Sequence, residues 1–282
     1  MLVALISAVT AAGGLIVDKI TLSRRNVPLG IFIPVVFVFL FVFTVVFTPL
    51  YGFIDWNTAM LPNNLFLALL MIVIAIAWNV LAYQSLQRES VHQHEVILMT
   101  GPIVTILLAA LFFREEFNLR IFVLALVASL AMLIARTERH HLRIDKIAYN
   151  LFLAVILMSI ESIIIRELLY SYSPVSLYAI RTLVLAGFFI LYYRPSMSEV
   201  GRSPLWLLGL SGAVGAVSMV TRFYAFESLG IIFTTLIATL APIIVFFGSW
   251  EILHERIRPR VVLASLVILA CVAAATVLTN IG

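Results

Sequence analysis

Long runs of apolar residues, each about twenty positions and separated by short polar breaks, set the pattern of this chain. They predict helices at 2–22, 28–50, 63–84, 94–113, 118–136, 147–169, 174–193, 204–226, 229–250 and 260–280, with Pro, Asn and charged residues at their ends. Each run is continuously apolar, whereas a membrane barrel strand alternates apolar and polar positions over about ten residues. A hydrocarbon core about 30 Å thick takes about 20 apolar residues per helix. The pattern therefore predicts an all-α integral membrane protein with ten transmembrane helices. The first run is apolar from its second residue and lacks both a basic leader and a small-residue cleavage site, so it is expected to be a retained helix and not a signal peptide.

Composition closes off a water-soluble fold. Of the 282 residues, 63% are hydrophobic and 11% charged, against about 45–50% and about 25% in soluble domains. Short loops leave no room for a separate aqueous domain. The net charge of +4 reads as topology and not as a nucleic-acid surface, because the basic residues fall between the apolar runs. One set of alternate loops holds thirteen of them, including Lys19, Arg24, Arg25, Arg139, Arg143 and Lys146, and the opposite set holds Arg114, Arg120 and Arg166. Basic loops stay on the cytoplasmic side. The loop 137–146 is thus expected inside and both termini outside, in what is expected to be a prokaryotic plasma membrane. Cys271, the single cysteine, rules out an intramolecular disulfide.

An offset of 140 places Pro102 on Pro242, Glu115 on Glu255, Ser85-Leu86 on Ala225-Phe226 and Arg120 on Arg260 without a gap. Lys19 precedes Pro28 much as Arg166 precedes Pro174. The chain thus divides into a repeat over 1–136, a basic connector over 137–146 and a second repeat over 147–282. Five helices per repeat is an odd number, so the second copy enters the membrane in the opposite sense. Inverted repeats of this kind place a site near the bilayer midplane and rock about it.

The small-then-apolar pair, the proline 17 positions after its first member and the glutamate 13 further on resemble the EamA-type repeat of the drug/metabolite transporter superfamily, and they occur in both halves. Arg181, seven residues after Pro174, resembles an arginine that this family carries early in the second helix of a repeat. The first repeat departs from the pattern: Pro34 stands near the arginine's place, and Ala12-Gly13-Gly14 stands where a Trp-Gly pair is common. The resemblance implies a secondary transporter, an exporter of a small organic metabolite or amino-acid-like solute, working without a cofactor as a monomer or homodimer in the lipid bilayer.

Several residues stand out as candidates. Gly101-Pro102 and Ala241-Pro242 interrupt the fourth and ninth runs, where proline removes a backbone donor; each is a cavity-lining helix break or a packing bend. Glu161, Arg181 and Arg222 lie inside runs instead of at their ends, roughly 8, 7 and 4 residues deep, or about 6–12 Å at 1.5 Å per residue. An ionised group at that depth is costly towards lipid, so Glu161 is expected to pair with at least one arginine, leaving the other charge for a substrate carboxylate or phosphate. The alternatives are a closed structural ion pair and snorkelling of Arg222. Trp78, Asn79, Tyr83 and Tyr224, with Phe223, are expected either to line a cavity by stacking and cation–π contact or to pack.

Catalytic and metal chemistry find little support. Glu251-x-x-His254 occurs once, whereas a carboxylate-bridged di-iron bundle needs the motif twice. His92-x-His94-Glu95 lacks the zinc-protease spacing. No Gly-x-Ser-x-Gly elbow and no Walker loop are present. A metal site is not expected, nor an enzyme. An intramembrane enzyme acting on lipid and a membrane scaffold are the competing functions, the first marked by a fixed polar cluster at one interface and the second by the lack of a cavity.

Overall fold

The computed structural model describes residues 1–24, 27–88, 97–136, 146–195, 202–244 and 259–281. His92, His94, Glu95, Glu251, His254, Glu255 and most of the connector 137–146 lie outside them. The described residues are helical throughout, joined by turns and a single antiparallel bridge between Ile54 and Tyr172. The long helices are α1 (Leu2–Lys19), α2 (Leu29–Tyr51), α3 (Pro62–Arg88), α4 (Gly101–Phe112), α5 (Leu119–Arg136), α6 (Lys146–Leu168), α7 (Pro174–Tyr193), α8 (Arg202–Ala238) and α9 (Pro259–Ile281).

Seven stretches are long and apolar enough to cross a membrane: Leu2–Leu22, Leu29–Tyr51, Pro62–Ser85, Ala148–Leu168, Pro174–Tyr193, Leu205–Ile244 and Arg260–Leu278. Gly101–Phe112 and Leu119–Ala135 are shorter apolar helices. Leu50, Leu191 and Ile134 are among many large apolar side chains that stay exposed, as expected where the surrounding medium is lipid.

Local chemistry accounts for several boundaries. The Ser173 hydroxyl accepts from the Ser176 N–H and Pro174 opens α7, a capped start with proline where no N–H is needed. Asn118 Oδ1 accepts from the Arg120 and Ile121 N–H groups at the head of α5. α7 ends on Arg194 in the left-handed region at φ 46°. α1 runs on into a π-helical turn, Ile20–Arg24.

The fourth run differs from its predicted form, and the eighth and ninth are joined closely. The fourth is not one helix over 94–113: α4 starts at Gly101, after a turn at Met99-Thr100. The eighth and ninth runs are two helices that meet without a loop at Gly230, whose φ of 75° and ψ of 170° are non-helical, and a turn at Thr239-Leu240 follows in the ninth. Gly230 lacks the Cβ that makes this backbone region strained for other residues.

The chain forms two compact units. The first comprises 1–72 and 167–227, the second 73–166 and 228–282. In the first unit α2 packs along α7; Phe32 and Phe189 are fully buried there, and the rings of Phe37 and Phe189 lie 5.1 Å apart. The loop after α2 is tied to the loop before α7, with the Asp55 N–H donating to Ser171 O at 3.0 Å and the Ser173 N–H to Phe53 O at 2.9 Å. In the second unit α5 packs along α9. Ala125, Ala128 and Ala275 are fully buried there, small residues of the kind that let helices approach where lipid offers no hydrophobic drive between them.

Candidate functional site

In the second unit α3 and α6 bring two of the predicted residues together. The Trp78 Nε1–H donates to Glu161 Oε2 at 2.6 Å, a charge-assisted length. Glu161 is 3% exposed. A carboxylate this deeply enclosed in an apolar bundle is expensive unless donors reach it, and the indole is such a donor. Asn79, also buried, turns its Nδ2 back to Ala75 O on its own helix at 2.8 Å. Tyr83, one turn further along α3, is half-buried.

The polar character extends to the start of α4. Thr105 Oγ1 donates to Ser159 Oγ at 3.0 Å, and that hydroxyl donates to Val155 O at 2.9 Å. Thr105 lies one turn beyond the Gly101-Pro102 break, and a Cβ on Gly101 would meet Val155 at 3.8 Å. The break therefore sets the first turn of α4 against the Val155–Ser159 face of α6, which ends two residues before Glu161.

The two helix breaks have the same construction. At the first, the Thr100 N–H donates to Ile97 O (3.0 Å) and the Thr100 hydroxyl to the same oxygen (2.7 Å). At the second, the Thr239 N–H is shared between Thr235 O and Leu236 O, both at 3.2 Å, and its hydroxyl donates to Leu236 O (2.6 Å). Pro102 and Pro242 bring no N–H for Leu98 O and Ala238 O, so each ladder tightens to three-residue bonds before the helix resumes. Ala241 is buried and Pro242 half-buried.

The predicted arginines lie in the first unit. Arg181 on α7 is 2% exposed, and its guanidinium carbon sits 5.9 Å from the centre of the Tyr178 ring. Tyr178 meets Phe223 of α8 edge to face at 5.5 Å. Arg222, half-buried, lies 5.4 Å from the Phe226 ring centre, and Tyr224 is half-buried beside it in sequence. Both cations thus have an aromatic face within cation–π range, worth about 0.5–2 kcal/mol each. Glu161 belongs to the second unit, where it accepts from the Trp78 indole.

Sequence reasoning passed over Asp18 on α1, which accepts a hydrogen bond from the Ser211 hydroxyl of α8. An acidic residue inside an apolar run is a signal in its own right, masked here by Lys19 next to it near the end of the run. The Thr105–Ser159 pair has no comparable signal, since hydroxyls recur along most of these helices.

Against known proteins, the EamA-like transporter family model matches residues 1–137 and again 146–277. A solved structure titled "Crystal structure of protein" superposes with a TM-score of 0.75 over 99% of this chain and 96% of that one, at 14% identity. That likeness is one of fold. No curated protein matches the chain.

Proposed function

Because the chain belongs to the EamA-like transporter family, and is thus an integral multi-pass membrane protein, we propose that it moves a small organic or amino-acid-like solute across the membrane by alternating access. Its helices are proposed to make ten crossings, as two inverted repeats over 1–136 and 147–282. Three observations support that arrangement. The family match falls twice along the chain. Leu205–Ile244 spans 40 residues, about 60 Å of helix at 1.5 Å per residue and twice the hydrocarbon thickness, with a bend at Gly230. The second helices of the two halves, α2 and α7, pack together, and so do the fifth, α5 and α9.

The observation that carries the functional reading is the buried Glu161 carboxylate held by Trp78. Intramembrane ionisable groups are rare and mark solute and ion pathways. Trp78 and Glu161 are assigned to the polar or cationic part of the solute, and Arg181 and Arg222 to a carboxylate or phosphate on it. Tyr83 and Tyr224 are assigned to stacking. The breaks at Gly101-Pro102 and Ala241-Pro242 serve as hinges that let half-helices move. No cofactor, metal or nucleic acid enters this scheme.

A metabolite screen by thermal shift on the purified full chain tests it first, because a ligand at 100 times its Kd stabilises the folded state by about 2.7 kcal/mol. Exchange of any hit is then measured in liposomes. Arg181→Ala and Arg222→Ala are expected to abolish exchange while folded protein stays in the membrane; undiminished exchange by both would reduce the arginines to architecture.

A further inference from the structure

Asp18 is a buried-seam carboxylate within a membrane-spanning segment that takes no part in the groups assigned above. It is the single acidic residue of the span Leu2–Leu22, and its Oδ1 accepts from the Ser211 hydroxyl. That bond closes a seam between α1 and α8 inside the first unit. Ser7 Oγ donates to Ser218 O at 2.9 Å, and Ser218 Oγ returns a bond to Ser7 O at 3.2 Å. Between these ends, a Cβ on Gly14 would meet Val214 at 3.8 Å. Positions 7, 14 and 18 advance along one face of α1 while 218, 214 and 211 retreat along one face of α8, so the helices run antiparallel with small residues at the contact.

Glycines and serines are what close helix approach in lipid demands. An aspartate is not, since a serine or alanine completes such a seam without a charge. Its neighbourhood is also irregular: α1 gives way two residues later to the π-helical turn Ile20–Arg24, a form that recurs at functional sites. Thr21, fully buried, donates its hydroxyl to Val17 O at 2.8 Å within that turn. No other titratable side chain occurs from Leu2 to Val17 of α1 or from Pro204 to Thr221 of α8; Lys19 follows Asp18 directly and Arg24 ends the π turn.

We propose that Asp18 is a proton-binding site, and that its protonation state, read through Ser211, controls the α1–α8 seam and couples solute movement to protons. The proposal rests on the transporter reading above. A proton is the cation that fits. Hard metal cations take about six or more oxygens, whereas Asp18 has a single hydroxyl partner among the described residues. In the ionised form the carboxylate accepts a hydrogen bond from the Ser211 hydroxyl. A proton arriving from water adds to Oδ1, the oxygen that faces Ser211, and turns it into a donor, so the Ser211 hydroxyl, with one proton and two lone pairs, must rotate to accept or let go. No other bond changes, so the seam opens and closes with proton uptake and release.

The test uses the full chain in lipid nanodiscs and infrared difference spectra between about pH 5 and 8. A protonated-carboxyl band that titrates in this range, vanishes in Asp18→Asn, persists in Glu161→Gln and moves its midpoint in Ser211→Ala is the expected result. A band that Asp18→Asn leaves unchanged, or no titrating carboxyl band at all, overturns the proposal. In parallel, liposomes exchange a radiolabelled amino-acid mixture at graded pH: wild-type exchange follows the band, and Asp18→Asn exchange loses its pH dependence. An Asp18→Asn rate that still tracks pH as in wild type also overturns it. Absence of exchange by the wild type counts against the transporter reading, while the infrared result stands or falls on Asp18 alone.

Discussion

The indole–carboxylate bond between Trp78 and Glu161 isolates one interaction within a buried pair. Trp78→Phe keeps most of the ring volume and removes the N–H. Leaving a buried acceptor short of a donor costs about 1–3 kcal/mol, so the variant is expected to unfold earlier in detergent and to exchange solute about tenfold more slowly; equal melting and equal exchange would mean the bond is incidental. Gly230→Ala probes the backbone instead. At φ 75° and ψ 170° a Cβ costs about 1–3 kcal/mol, which a thermal melt of the variant should show as a loss of stability. Individual candidate side chains were legible in the sequence where charge or an indole stood inside an apolar run, as at Glu161, Arg181 and Trp78. Their partners were not. The Trp78–Glu161 bond spans 83 positions and the Asp18–Ser211 bond 193, and separations of that size leave no local pattern.

Among the elements, the apolar runs announced the helices because lipid demands continuous apolar faces and an internally satisfied backbone. Proline predicted where α4 and the end of α8 would break, but the turn itself falls on the residues before it, Met99-Thr100 and Thr239-Leu240, since the donor that proline lacks is missed by a carbonyl four residues earlier. Pro102→Ala and Pro242→Ala restore those donors. Both variants are expected to melt higher and to exchange solute several-fold more slowly. Unaltered exchange with either would identify its break as a packing bend. Close packing of α2 on α8 rests on a position without a side chain: a Cβ at Gly212 would run into Phe39 Cβ and the backbone of Phe39 and Leu40. Gly212→Val is expected to cost several kcal/mol, as overpacking does at its upper end, and to cut the yield of folded protein on size exclusion.

For the whole molecule, the division at residue 136 that the repeat suggests does not follow the packing. The first unit combines 1–72 with 167–227, and the second combines 73–166 with 228–282, so each draws helices from both sequence halves. Sequence similarity between halves reports ancestry of segments, while packing follows which faces fit, and only the first is written locally. Membrane orientation is set by the basic loops. A cysteine at position 282 in a Cys271→Ser background should react with an impermeant thiol reagent on intact cells, and one at position 140 should not; the reverse labelling would invert the proposed topology.

The seam between α1 and α8 has a consequence in time. Ser7 and Ser218 are 211 positions apart, and at about 5–20 residues per second a ribosome needs roughly 10–40 s to travel between them. Throughout that interval α1 has no α8 to meet. The Ser7 hydroxyl can fall back on a carbonyl of its own helix, as Thr10 does with Ile6 O at 2.6 Å, but a carboxylate cannot, because a carbonyl has no proton to offer it. The newborn first helix therefore carries its carboxylate without the Ser211 hydroxyl at the insertion machinery until most of the chain has been made, and truncated chains ending before Ser211 should be the ones that quality-control proteases remove.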